Sequence, residues 1–163
     1  MSKNNIVIRK IKSSDDAQIA NVIRSVLIEF GVPKVGTAYE DTALDCMTQT
    51  YSKQTSVYYV VVKKGKIIGG AGIAPLDNYD GNVCELQKMY FLPEARGLGL
   101  GKLMIETCLG KAKEMGFESC YLETLPYMKA ATKLYGNMGF ASLEEPMGNT
   151  GHYSCNVWML KKL

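Results

Sequence analysis

A chain of 163 residues, 47% hydrophobic and 21% charged, is long enough for one domain with a full core. Its net charge of +3 is spread out, with no long block of Lys or Arg, which argues against a nucleic-acid surface. No apolar run approaches the ~20 residues of a membrane helix, and Met1 to Asn5 lack the apolar core of a signal peptide, so a cytoplasmic setting is expected.

Ile6 to Ile11 alternates like a strand. Ser13 or Ser14 is placed to cap a helix starting near Asp15, in which Ile19, Val22, Ile23, Val26 and Leu27 recur at helical spacing until Phe30-Gly31. A loop through Pro33 and Gly36 leads to a second helix over Asp41 to Tyr51. Ser56 to Val62 and Lys66 to Ile73 read as a hairpin turning at Lys64-Gly65. Val83 to Leu92 forms a fourth strand closed by Pro93, and the glycine-rich run Arg96-Gly97-Leu98-Gly99-Leu100-Gly101 follows. The pattern from Lys102 to Met115, stopped by Gly116, predicts a helix burying Met104, Cys108, Ala112 and Met115. Gly110 inside it costs about 1 kcal/mol relative to Ala. Ser119 to Leu125 is a fifth strand. Pro126 suits the first turn of a further helix and Gly139 its left-handed C-terminal position, before strands near Ala141–Leu143 and Asn156–Leu160. No repeat or linker interrupts the order. Residues 1–163 form one α/β (α+β) layered domain.

The five cysteines, at 46, 84, 108, 120 and 155, are odd in number and contain no CxxC, which favours reduced thiols over a disulfide framework. His152 is the only histidine, so neither a zinc site nor a histidine-based triad can be assembled in the usual way, and no metal is expected. The chemistry must use carboxylates, Tyr, Cys, Lys or backbone.

A strand, a glycine turn and a helix start together make an anion site, because unpaired N–H groups of the first helical turn face the ligand. Spacing separates three versions of it. A Walker loop would need Gly at Arg96 and a hydroxyl at Leu103. A dinucleotide fingerprint would need Gly at Lys102 or Met104. The pattern [Gln/Arg]-x-x-Gly-x-[Gly/Ala] is met by Arg96, Gly99 and Gly101.

That pattern resembles the acetyl-coenzyme A loop of the GNAT superfamily of N-acetyltransferases. Ala130 to Phe140, with Leu134-Tyr135 closed by Gly139-Phe140, is similar to the family's second signature, and the resemblance covers nearly all of the chain. It implies a mixed, mostly antiparallel central sheet flanked by helices, with acetyl-CoA in the splay between strands 4 and 5. It implies an N-acetyltransferase that carries acetyl to a primary amine, on a small molecule or a peptide, by direct attack in a ternary complex. No nucleic acid or membrane partner is implied, and a homodimer is compatible with it. The alternative is a binding module of the same fold that has lost turnover.

In that frame Arg96, Gly97, Leu98, Gly99, Leu100, Gly101 and Lys102 would hold the pyrophosphate, with Arg96 and Lys102 adding positive charge. Met89, Tyr90 and Phe91 would pair through their backbones with the amide-rich pantetheine arm, and an amide there, Met89 foremost, would polarise the thioester carbonyl. Tyr135 would protonate the departing thiolate. Glu85 and Glu123, acids within apolar strands, are candidates for general base. Glu123, twelve residues before Tyr135, has the better match to the family, and Glu85, expected on one side with Gln87 and Met89, resembles the fourth-strand glutamate used by some members. A water chain with no dedicated base is the alternative. Met128 stands where many members have Asn. Cys84 and Cys120 are read as packing residues. The acids and tyrosines of 28–45 and 144–156 are the candidates for meeting the acceptor.

Overall fold

The computed structural model describes residues 5–163; the lead-in Met1–Asn4 lies outside the described residues. Seven strands form one sheet in the order β1-β2-β3-β4-β5-β7-β6. Their ranges are β1 Ile6–Lys10, β2 Val57–Lys63, β3 Lys66–Pro75, β4 Val83–Phe91, β5 Ser119–Thr124, β6 Ala141–Leu143 and β7 Val157–Lys162. Neighbouring strands run antiparallel except β4 and β5.

Strand alternation feeds two cores. Val57 and Val61 of β2 pack with Met104, Ile105, Cys108 and Ala112 of helix α3 (Leu100–Glu114) and with Tyr135 of helix α4 (Lys129–Asn137). Tyr58 and Val60, pointing the other way, pack with Ile19, Ile23 and Leu27 of helix α1 (Asp16–Glu29) and with Leu44 and Met47. The sheet is thus a middle layer. Among the described residues no helix is long and apolar enough to cross a membrane.

Four local expectations are corrected. Neither Ser13 nor Ser14 caps α1; the Asp15 carboxylate accepts from Lys12 N–H (2.7 Å) and is held by Arg9, and a 3-10 turn over Ser13–Asp15 precedes the helix. The expected helix over 41–51 is a 3-10 turn, Thr42–Cys46, and a four-residue helix α2, Met47–Thr50. Asp16 explains the restart, since its carboxylate accepts from both N–H and hydroxyl of Thr48. Pro126 lies outside α4, in a turn closed by Met128 N–H to Leu125 C=O (3.1 Å), where proline suits the second position. Finally, α3 starts two residues early, so Leu100 and Gly101 are already helical.

Candidate active site

β4 and β5 pair only from Val83 to Glu85 against Ser119 to Tyr121. Beyond that the strands part, and β4 continues to Phe91 paired with β3 alone. The parting leaves one edge of the β4 backbone without a strand partner over its second half. Along it runs a groove of about 340 Å³, lined by Met89, Tyr90 and Phe91, by the glycine turn and by Leu134 and Tyr135 of α4.

The turn that closes one end of the groove is built from backbone. Gly97 (φ +74°) and Gly99 (φ +76°) adopt left-handed conformations that only glycine takes without strain. No side chain caps α3, and its first-turn N–H groups have no intrahelical acceptor. Gly101 serves a different purpose: a Cβ there would stand 2.8 Å from Leu134 Cδ2, so its absence lets α3 and α4 approach. Gly97, Gly99, Leu100, Gly101, Arg96 and Lys102 all line the groove; Leu98 is exposed beside it. The Arg96 guanidinium is engaged, donating to both oxygens of Glu29 (2.7 and 2.8 Å) and to Phe91 C=O, while its cationic centre lies 5.0 Å from the Phe30 ring centroid. Lys102 is exposed and loosely paired with Glu106 at 3.9 Å.

At the other end a smaller cavity lies within the splay, lined by Met89, Glu123, Cys155 and Tyr135 among others. Tyr135 is buried, edge-on to Phe140 at 6.1 Å, and burial raises its phenol pKa, so it keeps its proton. Glu123 accepts from the Tyr121 hydroxyl (2.9 Å) and from Thr150 Oγ1. Glu85 is only 5% exposed, and burial, opposed by the Gln87 amide and reinforced by the charge of Glu123, raises its pKa to about 7. Cys84 and Cys120 face each other in register, fully buried in the core. Cys155 is half-buried, and burial first, then the nearby carboxylates, push its thiol up to about 12.

One feature of β4 overturns an expectation. Alternation would set Met89 on the face of Glu85 and Gln87, yet Met89 packs with the α3 core while Gln87 accepts a hydrogen bond from Tyr51 on the α1 side (2.6 Å). The cause is a bulge. Register shifts between Gly70 and Gly72, and Lys88 carries φ +50°. Tyr58 pins it: its ring lies over Gly70 and Gly72, where any Cβ would collide with it, and its hydroxyl donates to Lys88 C=O (2.7 Å). The glycines of β3 were the only sequence signal for this, and alone they read as an ordinary strand.

Beyond the bulge, on the α1 side, lies a polar pocket of about 470 Å³. Its walls come from Asp41, Tyr51, Lys53, Asp77, Gln87, Lys88 and others. A chain of contacts runs through it. Gln87 donates to Glu85 (2.6 Å), Tyr51 donates to Gln87, Lys88 Nζ stands 3.5 Å from the Tyr51 hydroxyl and 3.8 Å from Asp41, and Asp41 meets His152 Nε2 at 2.8 Å. Burial pulls the His152 pKa down, but the hydrogen bond and charge of Asp41 outweigh it, so the net shift is upward. Of these residues, sequence reading singled out Glu85 and, as members of broad acceptor segments, Asp41 and His152. Tyr51, Lys88 and Thr150 were missed, because only the fold brings them together.

The sequence matches the acetyltransferase (GNAT) family over residues 23–140. The chain belongs to that family. It is 44% identical over 158 residues to an uncharacterized N-acetyltransferase of Escherichia coli, YjgM, covering 96% of this chain and 95% of that one. An acetyltransferase of the GNAT family from Staphylococcus aureus has the same fold, with TM-score 0.86 at 23% identity over 97% of this chain and 99% of that one. So does yncA of Salmonella typhimurium, solved with its cofactor acetyl-CoA, with TM-score 0.79 at 17% identity over 98% and 95% of the two chains. The mixed sheet with its parted strands is the GNAT fold, and the protein is an acetyltransferase.

Proposed function

We propose that this enzyme transfers acetyl from acetyl-CoA to a primary amine, with both bound at once and attack direct. The observation that carries this reading is the splay: the glycine turn opens at one end of its groove, and Tyr135 and Glu123 line the cavity at the other. The residues fit the cosubstrate. The uncapped start of α3 offers N–H groups to a pyrophosphate, and the unpaired edge of β4 at Met89 to Phe91 offers strand-like pairing to an amide-bearing arm.

Bound acetyl-CoA supplies a thioester whose carbonyl the amine attacks, releasing a thiol. Met89 N–H, in the splay just past the bulge, is the donor assigned to the carbonyl oxygen. Tyr135 holds a proton on its phenol for the departing sulfur, and the same burial that raises its pKa raises that of a thiolate beside it. Glu85, behind the splay and joined through Gln87 to the wall of the polar pocket, is assigned as the base rather than Glu123. It titrates near neutrality and uses one oxygen toward Gln87, whereas both oxygens of Glu123 receive hydroxyl donors. Buried free thiols at Cys84, Cys108 and Cys120 suit a reducing, cytoplasmic setting.

Thermal unfolding with acetyl-CoA, ATP and NAD tests the ligand. Acetyl-CoA at a hundredfold excess over Kd should add ~2.7 kcal/mol, and Gly99→Val, which forces a branched residue to positive φ, should remove most of that gain. Stabilisation by NAD and none by acetyl-CoA overturns the assignment.

A further inference from the structure

The polar pocket beside the splay holds a lysine in an unusual position. The Lys88 side chain is only 8% exposed, yet its ammonium has one carboxylate near it, at 3.8 Å, and one hydroxyl at the limit of a hydrogen bond, 3.5 Å. An ammonium has three donors, and burying it underpartnered is costly. Burial accordingly lowers its pKa, while Asp41, Glu85 and Asp77 work against that shift. The backbone is strained as well, since Lys88 takes a left-handed φ of +50° that a side-chain-bearing residue rarely adopts. Tyr58 holds the strain in place. One effect of the bulge is that Gln87 and Lys88, consecutive residues, both line the same pocket, which a regular strand forbids. Lys88 also lines the small cavity beside Met89, Glu123 and Tyr135.

We propose that the polar pocket is the acceptor subsite and that the acceptor is a small amine bearing a carboxylate, with an α-amino acid as its simplest form, whose carboxylate binds Lys88. Charge supports a zwitterion over a polycation. Asp41, the carboxylate nearest Lys88, also meets His152 Nε2 at 2.8 Å, so part of its hydrogen-bonding capacity is already taken. Because Lys88 belongs to both cavities, a molecule whose amine and carboxylate share one carbon reaches from the Lys88 ammonium to the splay. The assignment rests on the acetyl-transfer reading only for the direction in which the amine points.

The test has a kinetic and a binding arm. Rates with acetyl-CoA are measured for leucine, serine and glutamate, each beside its α-amide and its decarboxylated amine, with spermidine as the polycation. After correction for the neutral fraction of each amine, the acids should exceed their amides and amines in kcat/KM by roughly 10²-fold, the scale of a buried charge pair. Lys88→Met should bring that ratio close to one, and Lys88→Arg should restore part of it. In parallel, calorimetry of the CoA-loaded enzyme should find the amino acids binding roughly 10²-fold more weakly to Lys88→Met, with thermal stability and CoA affinity retained. Lys88-dependent binding without thiol release would keep Lys88 as a carboxylate site and overturn the bound amino acids as acceptors. Preference for spermidine or the amines, unchanged discrimination in Lys88→Met, or no amino-acid binding to the loaded enzyme overturns the assignment.

Discussion

The two sides of β4 are built by different means. On the α3 side, the groove is built around backbone: a glycine turn, a helix start and a strand edge, all within residues 83–102, with cover from α4 and from Val26 and Phe30 at the end of α1. On the α1 side, the pocket is made of side chains from far-apart segments, with Asp41, Tyr51, Gln87 and His152 joined over separations of up to 111 residues. A surface made of main chain binds what every member of a family shares. One made of side chains can change with the acceptor while the fold stays fixed.

The largest expected effect lies on the groove side. Tyr135→Phe removes only a hydroxyl, and the ring keeps its contact with Phe140. If the phenol protonates the leaving thiol, kcat should fall by roughly 10²–10⁴-fold, with acetyl-CoA affinity and melting temperature almost unchanged. Wild-type turnover in this variant would reduce Tyr135 to a core aromatic and leave the groove side without a catalytic side chain.

The difference between the two sides also explains what the sequence disclosed. The order of strands, the two helices α1 and α3, and the turn from Arg96 to Gly101 were legible because each is a local pattern: alternation, helical spacing, and glycines where φ must be positive. The polar pocket was not. Lys88 reads as one solvated lysine in a strand until the bulge is known, and the bulge depends on Tyr58 reaching across Gly70 and Gly72. Arg96 shows the converse. Its place in the motif was legible, but its commitment to Glu29, 67 residues away, was not.

A middling effect belongs to the side-chain pocket. Glu85 has a folded pKa of about 7, above the ordinary carboxylate value of about 4.5, because burial disfavours its charged form. Its protonated form therefore favours the fold. The favourable contribution is fully present below about pH 4.5 and is lost as pH rises through 7, at which point the buried group ionises. Glu85→Gln, neutral throughout, should flatten this decline and raise stability at pH 8 relative to wild type by on the order of 2–3 kcal/mol. The same loss of a proton readies the base, so wild-type kcat/KM should climb through pH 7. Glu85→Gln should lack that limb and recover partly at high pH, where the amine is already neutral. If Glu123→Gln loses the limb and Glu85→Gln keeps it, the base is Glu123, and Glu85 acts only on the pocket behind it.

The smallest effect asks whether the groove is as free of side-chain chemistry as its backbone design suggests. Arg96 occupies the motif position nearest the turn, but Glu29 takes its guanidinium in a bidentate pair, and the pair is partly exposed, 36% and 41% by side chain. Glu29 holds its charge, since the Arg96 hydrogen bond keeps its carboxyl below the ordinary range. A ligand phosphate must therefore compete with a fixed anion for this cation, or do without it. Glu29→Gln removes the competitor and leaves an oxygen to accept one hydrogen bond. If Arg96 serves the ligand, acetyl-CoA affinity should rise about two- to threefold at low salt, and the gain should fade near ~0.5 M salt as screening shortens the reach of the charge. Stability should change little, because exposed ion pairs are worth only ~0–1 kcal/mol. Unchanged or weaker affinity, together with a lower melting temperature, would make Arg96 a strut between α1 and the loop. The groove would then bind its phosphates through the glycine turn and the α3 N–H groups, with Lys102 as the remaining cation of the motif.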